Sequence, residues 1–398
     1  MSIDSARIRG QYPTLGAGTV YLEGSYAALQ PESVIRAITT ALRAAPAQPG
    51  SRSARSQRGG VIVAQARDAV GDLLGVPGDC VAFGGNVATL LGRLSTALAR
   101  DWQLGDQIVL SRMDHEANQR PWLAAARGAG AIVDWVEVDP ATGNLPLPRY
   151  EQLLGSNTRV VTVPLANPTT GQLPDLRAIA DQAHAVGALV VLDAGAAIPH
   201  LPIDLMTNGA DLVVVSANRF GGPTVAALVA RPGLLAQIED MAGAGCVESG
   251  SLPVELLPGV TAAVEHLAGL DEVAVGTRRQ RLISSIRASG ARQSLLFSAL
   301  SAPLRTMPAV TVLGGAGDRV PVAAFAVRGC RADEVADFLL ERGITVWTGP
   351  TGMDGLISAL TRGGVSAADV VHIGLMPHSS TSDVDRFASA MRELTASV

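Results

Sequence analysis

The residues able to do chemistry in this 398-residue chain stand where apolar runs stop. Asp193 ends the run ALVVL, and a carboxylate at the end of an interior strand needs a cation, a set of N–H donors or a ligand. A protonated ring nitrogen is one partner of that kind. The run DLVVVS ends at Ser216 and leads through Ala217, Asn218 and Arg219 into a Phe-Gly-Gly-Pro turn. Arg219 carries a planar, charged fork that suits a phosphate or a carboxylate; equally, it can fill space and pair with Asp193 or another acid. Asp114 and His115 follow a third run, QIVLSR, and Asn167 follows a fourth, RVVTVPLA. The turn Gly84-Gly85-Asn86 opens a helical segment with the Thr89 hydroxyl in its first turn. Free N–H groups and the helix dipole both favour an anion at such a place.

For these side chains to meet, the runs must be neighbouring strands of one sheet, because an open parallel sheet binds ligands beyond the carboxyl ends of its strands. From about residue 60 onward helical and strand patterns alternate, as in an α/β domain with a largely parallel sheet. VIVAQARDAVGDLLG (61–75) has helical spacing and ends at a glycine suited to a cap. CVAFGGN (80–86) reads as a short strand and turn, and VATLLGRLSTALARDW (87–102) as a helix. QIVLSR (107–112), AIVDWVEV (131–138), RVVTVPLA (159–166), ALVVLDA (188–194) and DLVVVSA (211–217) are nearly continuous apolar runs, expected of strands covered on both faces. PDLRAIADQAHAVG (174–187) supplies a crossover helix between two of them.

After about residue 260 the pattern changes to a long helical region and then VPVAAFAV (320–327), ADEVADFLLERG (332–343), ITVW (344–347), DVVHIGL (369–375) and SDVDRFASAMREL (382–394). This predicts a second, smaller α/β unit. The expected division is an N-terminal segment 1–20 packing on the small domain, a large domain 21–260 and a small domain 261–398. The stretch RAAPAQPGSRSARSQRGG (43–60) is predicted to be an extended surface loop.

Composition removes several functions. A net charge of −5 leaves no electrostatic footprint for nucleic acid. The basic cluster Arg278, Arg279, Arg281, Arg287 and Arg292 is read as the solvated face of a helix. No run of eighteen residues is free of charge, which argues against a membrane span, and MSIDSARIRG has no apolar leader, so a cytoplasmic protein is expected. Cys80, Cys246 and Cys330 are odd in number and far apart, the pattern of inert thiols rather than of disulfides or a metal site. No His-Glu-x-x-His motif is present, and no structural metal is expected. All 31 basic residues are arginine: the chain has no lysine and therefore no side-chain amine.

In their order and spacing these residues resemble the class V aminotransferase and cysteine desulfurase-like group of fold-type I pyridoxal phosphate enzymes. The similarity runs over nearly the whole chain. YLEGSYAALQPESVIRAI (21–38) is similar to the family's opening segment, and MDHEANQRPW (113–122) to the motif whose histidine stacks on the cofactor ring. Residues 184–223 keep the family spacing from the pyridine-binding aspartate to the lysine turn. VESGS (247–251) resembles the Glu-x-Gly-Thr segment that reaches the partner subunit's phosphate, and VVHIGLMPHSSTSDVDRF (370–387) the closing strand and helix. The resemblance implies the fold-type I α/β architecture: a large domain with a mostly parallel, seven-stranded type of sheet, a small C-terminal α/β domain, and a homodimer. It places His115 against the ring and Asp193 at the ring nitrogen. Thr89, Ser216, Asn218 and, across the dimer, Ser251 come to the phosphate, and Asn167 lies near the ring.

The departures fall on the reactive positions. Arg219 stands where the resemblance puts the Schiff-base lysine, and a guanidinium does not substitute for an amine nucleophile. Ala196 stands for a glutamine at the ring oxygen, Ala88 for a phosphate-side threonine, and His372 for the arginine that clamps a substrate carboxylate. TGPTGMDG (348–355) lacks the desulfurase cysteine. The expectation is a protein without Schiff-base chemistry: a pseudoenzyme, or a non-covalent binder of pyridoxal phosphate, pyridoxamine phosphate or another small anionic or amino-acid-like ligand. The alternative is an active enzyme of lyase, dehydratase or aminotransferase type on an amino-acid-like substrate, with His115 moving protons.

Overall fold

The computed structural model describes residues 3–16, 18–315, 317–349, 351–362 and 364–396. Twelve strands are present among them: β1 Val20–Tyr21, β2 Val81–Gly84, β3 Gln107–Ser111, β4 Ile132–Val136, β5 Thr158–Pro164, β6 Leu189–Asp193, β7 Leu212–Ser216, β8 Ala226–Ala230, β9 Val310–Val312, β10 Val322–Val327, β11 Ile344–Thr345 and β12 Val371–Gly374. Seven of them form one sheet in the order β2-β8-β7-β6-β5-β3-β4. The run from β7 to β4 is parallel, so β3, β5, β6 and β7 bring their carboxyl ends to one edge.

Two-sided burial explains the apolar runs of β3, β5, β6 and β7, whereas β4, at the sheet edge, is only partly buried and leaves Ile132 exposed, against the expectation for 131–138. Val109, Val161, Val163, Val190, Leu192, Val213 and Val215 enter the core on one face of the sheet. Ile108, Leu110, Val160, Val191, Leu212 and Val214, alternating with them, enter the core on the other. β8, AALVA, has no counterpart among the expected strands. Alanine is a weak strand former, and this segment is extended because it is buried between β2 and β7 as their antiparallel partner.

The smaller unit is an antiparallel sheet in the order β12-β10-β9, backed by the helices Ala332–Leu340 and Thr381–Ala396. Its core holds Phe325, Phe387, Leu339 and Met391 together with Val20 and Leu22 from the other end of the chain. Those two arrive because β1 pairs in parallel with β11.

Several expectations are revised. Residues 43–60 are not one loop: a helix starts at Ala54 and runs to Leu74, capped by the Ser53 side chain, which accepts the Ser56 N–H. Local capping outweighs the Gly, Ser and Arg composition there. The N-terminal segment packs on both units: Ile3, Ile8 and Tyr12 enter the large core, while Tyr12 also meets the His378 ring edge-on with centroids 4.8 Å apart, Arg9 reaches Asp383 at 3.1 Å and Val20 enters the small core. Residue 260 is no break in packing either. Helix Leu257–Ala268 packs on helices Glu32–Ala44 and Ala54–Leu74. Helix Arg278–Thr306 then passes from the large core at Leu282 and Ile286 into the small one at Leu296 and Leu300. Most arginines of the cluster are fasteners and not a solvated face: Arg278 meets Asp72 at 2.7 Å, Arg279 meets Asp204 at 3.0 Å, and Arg292 donates to the Ser379 carbonyl at 2.7 Å, while Arg287 is exposed as expected.

The segment leaving β1 is clamped on β12. Gly374 N–H donates to the Leu22 carbonyl at 2.7 Å, and Gly24 N–H returns to the Gly374 carbonyl at 3.2 Å. A Cβ on Gly374 would stand 2.3 Å from the Ser25 amide nitrogen. Gly374→Ala is therefore expected to lower stability by about 1–3 kcal/mol through forced backbone displacement. Gly355→Ala, where a Cβ meets nothing within 4 Å, is expected to be neutral or stabilising in the same thermal melts.

Candidate active site

At the carboxyl edge of the large sheet lies a cavity of about 470 Å³. Behind it is an inner chamber of about 30 Å³. Each polar wall residue is set there by the element it terminates. Asp193 closes β6, and one of its oxygens accepts the Gly195 N–H at 2.8 Å. Ser216 closes β7, and the chain then makes a short 3-10 turn, Ala217–Phe220, which ends at Gly221 with φ 87°. That backbone conformation favours glycine. The turn exposes Asn218 and Arg219 to the cavity.

The Arg219 side chain runs beside Gly195, where an added Cβ would lie 3.6 Å from its Cγ. Its Nη1 donates to the Ser25 carbonyl at 2.7 Å. Burial lowers its pKa, and the charges of Asp193 and Tyr26 oppose that shift. A guanidinium starts so high that it keeps its charge at neutral pH. Among the described residues no carboxylate forms an ion pair with Arg219, so the expected pairing with Asp193 is a field across the cavity and not a salt bridge.

His115 caps helix Glu116–Ala129, and its Nδ1 accepts the Ala117 N–H at 3.0 Å. Burial depresses its pKa; the positive charge of Arg219 adds to this, and Asp193 and Glu116 resist it. The imidazole is therefore neutral, with its proton on Nε2. Its single lone pair is already used by the helix, so it presents a donor and not a base. Asp114, wholly buried, accepts the His115 N–H at 2.9 Å and the Asn118 side-chain N–H at 2.6 Å. Burial, and then the charge of Asp193, hold its carboxyl well above the usual range.

The remaining expected residues are placed differently. Thr89 is exposed and outside the wall; its backbone N–H is taken by Asn86, the cap of helix Val87–Leu98. Val87 and Ala88, in the first turn of that helix, do line the cavity. Asn167 is buried behind the wall, its oxygen accepting the N–H groups of Thr169 and Thr170 at 2.8 and 2.9 Å, its amide nitrogen unpartnered. Ser251 is exposed and outside the wall of its own subunit. His372 lines the inner chamber, and burial pushes its pKa down to about 4, so it offers no charge to a carboxylate at neutral pH. Sequence reasoning missed Thr224, which follows the Gly-Gly-Pro turn, and Tyr26, Trp347 and Thr351. Thr224 could have been found as a hydroxyl next to the recognised turn. The others arrive through the β1–β11 pairing, which no local pattern signals.

These groups fit a phosphorylated pyridine. Asp193 has a second oxygen for a ring N–H, the cap of helix Val87–Leu98 offers N–H groups to an anion, and Ser216 and Thr224 add hydroxyls. The buried Asn218 side-chain oxygen has no partner. Among the described residues no group of three potential metal ligands gathers, and no helix is long and apolar enough to cross a membrane.

A family model described as aminotransferase class-V matches residues 20–387. The chain is 36% identical to an uncharacterized protein of Mycobacterium tuberculosis over 99% of its own length and 100% of that protein. It is 29% identical to a probable cysteine desulfurase of Mycolicibacterium paratuberculosis over 83% of its length, spanning 48% of that protein. Among solved structures, the cysteine desulfurase CsdA of Escherichia coli aligns over 100% of both chains with a TM-score of 0.85 at 22% identity. The apo cysteine desulfurase of Thermococcus onnurineus aligns over 100% of this chain and 99% of its own with a TM-score of 0.86 at 19% identity.

The pKa of Asp114 yields a signed prediction. A carboxyl that binds its proton more tightly in the folded than in the unfolded chain makes stability fall as pH rises from about 4, the unfolded value, through the folded one. Asp114→Asn is expected to remove that contribution, flattening the dependence of urea-unfolding free energy on pH across this window. An unchanged slope would show that Asp114 titrates normally.

Proposed function

The chain belongs to the class V aminotransferase family, and from that membership we propose that it holds a pyridoxal phosphate-type cofactor without bonding to it, having lost the chemistry that needs a lysine. The feature that carries this reading is Arg219, a charged guanidinium held on the Ser25 carbonyl where the resemblance puts the family's lysine, in a chain with no side-chain amine. When bound, such a cofactor supplies an electron sink for carbanions. Asp193 would hold the ring nitrogen proton, and His115 would lie on the ring. The first turn of helix Val87–Leu98, Ser216, Asn218 and Thr224 would hold the phosphate, with Arg219 adding a positive charge that no carboxylate among the described residues pairs.

Proton transfer is where the arrangement falls short. His115 presents a proton on Nε2 and no free lone pair, and His372 is neutral and recessed. Loss of general acid–base catalysis alone typically costs about 10²- to 10⁴-fold in rate. The reading is therefore of a ligand-binding pseudoenzyme, with pyridoxamine phosphate fitting as well as the aldehyde because no imine to the protein is formed. It also takes the protein as a homodimer, in which the exposed Ser251 of the partner subunit would approach the phosphate.

Equilibrium dialysis with pyridoxal phosphate and pyridoxamine phosphate tests this directly. Both are expected to bind saturably and to dialyse away, and borohydride is expected to leave no pyridoxyl group on an internal residue by mass spectrometry. Arg219→Lys is expected to turn the pyridoxal-loaded protein yellow and to fix the label at that position. Failure to bind either compound, or steady amino-acid turnover by the wild-type protein, overturns the proposal.

A further inference from the structure

Past Arg219 the cavity narrows into the inner chamber, and Tyr26, His115, Pro168, Arg219 and Thr351 stand in the walls of both. Whatever a ligand carries toward Arg219 must end there or enter the chamber. Its volume of about 30 Å³ is about two to three times the ~10–15 Å³ that one water needs on the same measure.

An aromatic pair lines the chamber. The rings of Tyr26 and Trp347 stack with centroids 3.7 Å apart and planes 7° from parallel. Neither ring is free to swing with a loose loop. Trp347 exchanges both backbone hydrogen bonds with His372 on β12, at 3.0 and 2.8 Å, and Tyr26 N–H donates to the Glu23 carbonyl at 2.9 Å. Three chamber residues also carry buried polar atoms without a partner: Ser25 Oγ, Thr169 Oγ1 and Trp347 Nε1. Atoms of this kind are suited to bound water, which makes two to four hydrogen bonds. A whole alanine portion is larger than this space, and His372 offers it no charge at neutral pH.

We propose that the Tyr26–Trp347 stack is the specificity-determining element of this site, limiting its ligand to a phosphorylated pyridine with a compact substituent beside Arg219 and excluding any adduct that carries an amino acid. This deepens the proposed function and rests on it, since it takes the main cavity to hold the pyridine. The stack acts by occupying the space into which an amino-acid portion would extend.

Calorimetric titration of the full-length protein separates the two ideas. The probes are pyridoxamine 5′-phosphate and N-(5′-phosphopyridoxyl)-L-alanine, a stable secondary amine that adds an alanine to the same ring. The wild type is expected to bind the alanine adduct at least about tenfold more weakly, the order expected for forcing atoms into a filled space. Trp347→Ala is expected to bring the two affinities within about threefold while keeping that for pyridoxamine phosphate. Trp347→Leu, which keeps an apolar side chain at that position, is expected to shift the ratio in the same direction if the alanine variant misfolds. Equal wild-type affinities overturn the proposal and leave the proposed function standing; so does discrimination that neither variant relaxes. No binding of pyridoxamine phosphate to the wild type overturns both.

Discussion

A cation stands at the carboxyl edge of the sheet, and one carbonyl oxygen holds it. Arg219 comes from the turn after β7, and its partner Ser25 lies in the segment clamped on β12. A desolvated guanidinium left without an acceptor is costly, so the large sheet, the opening segment and the small unit are tied through this contact. The clamp works because Gly374 lets the two backbones approach more closely than any side chain would allow. The position of Arg219 is therefore a property of the whole chain and not of its own turn.

Around that cation the titratable groups have settled into a definite pattern. Asp193 remains partly accessible and faces the cavity. Asp114, behind it, is pushed toward its neutral form by burial and by the neighbouring carboxylate. His115 and His372 are pushed toward theirs by burial, with Arg219 adding to the effect on His115. Such a site is suited to holding a ligand with a protonated ring and an anionic end. It is poorly suited to accepting a proton, because its imidazoles are committed to a helix cap or shut away from the main cavity.

Similar folds in cysteine desulfurases show that the backbone arrangement is not specific to this chain. What the chain does with that backbone depends on a few side chains at the sheet edge. Arg219 introduces charge without nucleophilicity, and the Tyr26–Trp347 stack removes space. Both lie on the same side of the cavity, since Tyr26 and Arg219 stand in the walls of the main cavity and of the chamber alike.

The sequence by itself determined β3, β5, β6 and β7, since apolar runs of this length are stable only between two covering layers, and it placed Asp193, Ser216, Asn218 and Arg219 at their ends. It also determined that no side-chain amine is available, a matter of composition alone. It did not reveal β8, whose alanines extend only because two neighbours claim their backbone groups, nor the helix start at Ala54. Tyr26 and Trp347 lie more than 300 positions apart and meet through the parallel pairing of β1 with β11. Protonation was equally out of reach, because the pKa of His115, Asp114 or His372 depends on which atoms exclude water from it. Only the tertiary structure decided these points: local pattern governs which segments extend or coil, whereas burial and long-range contact govern what each side chain can do.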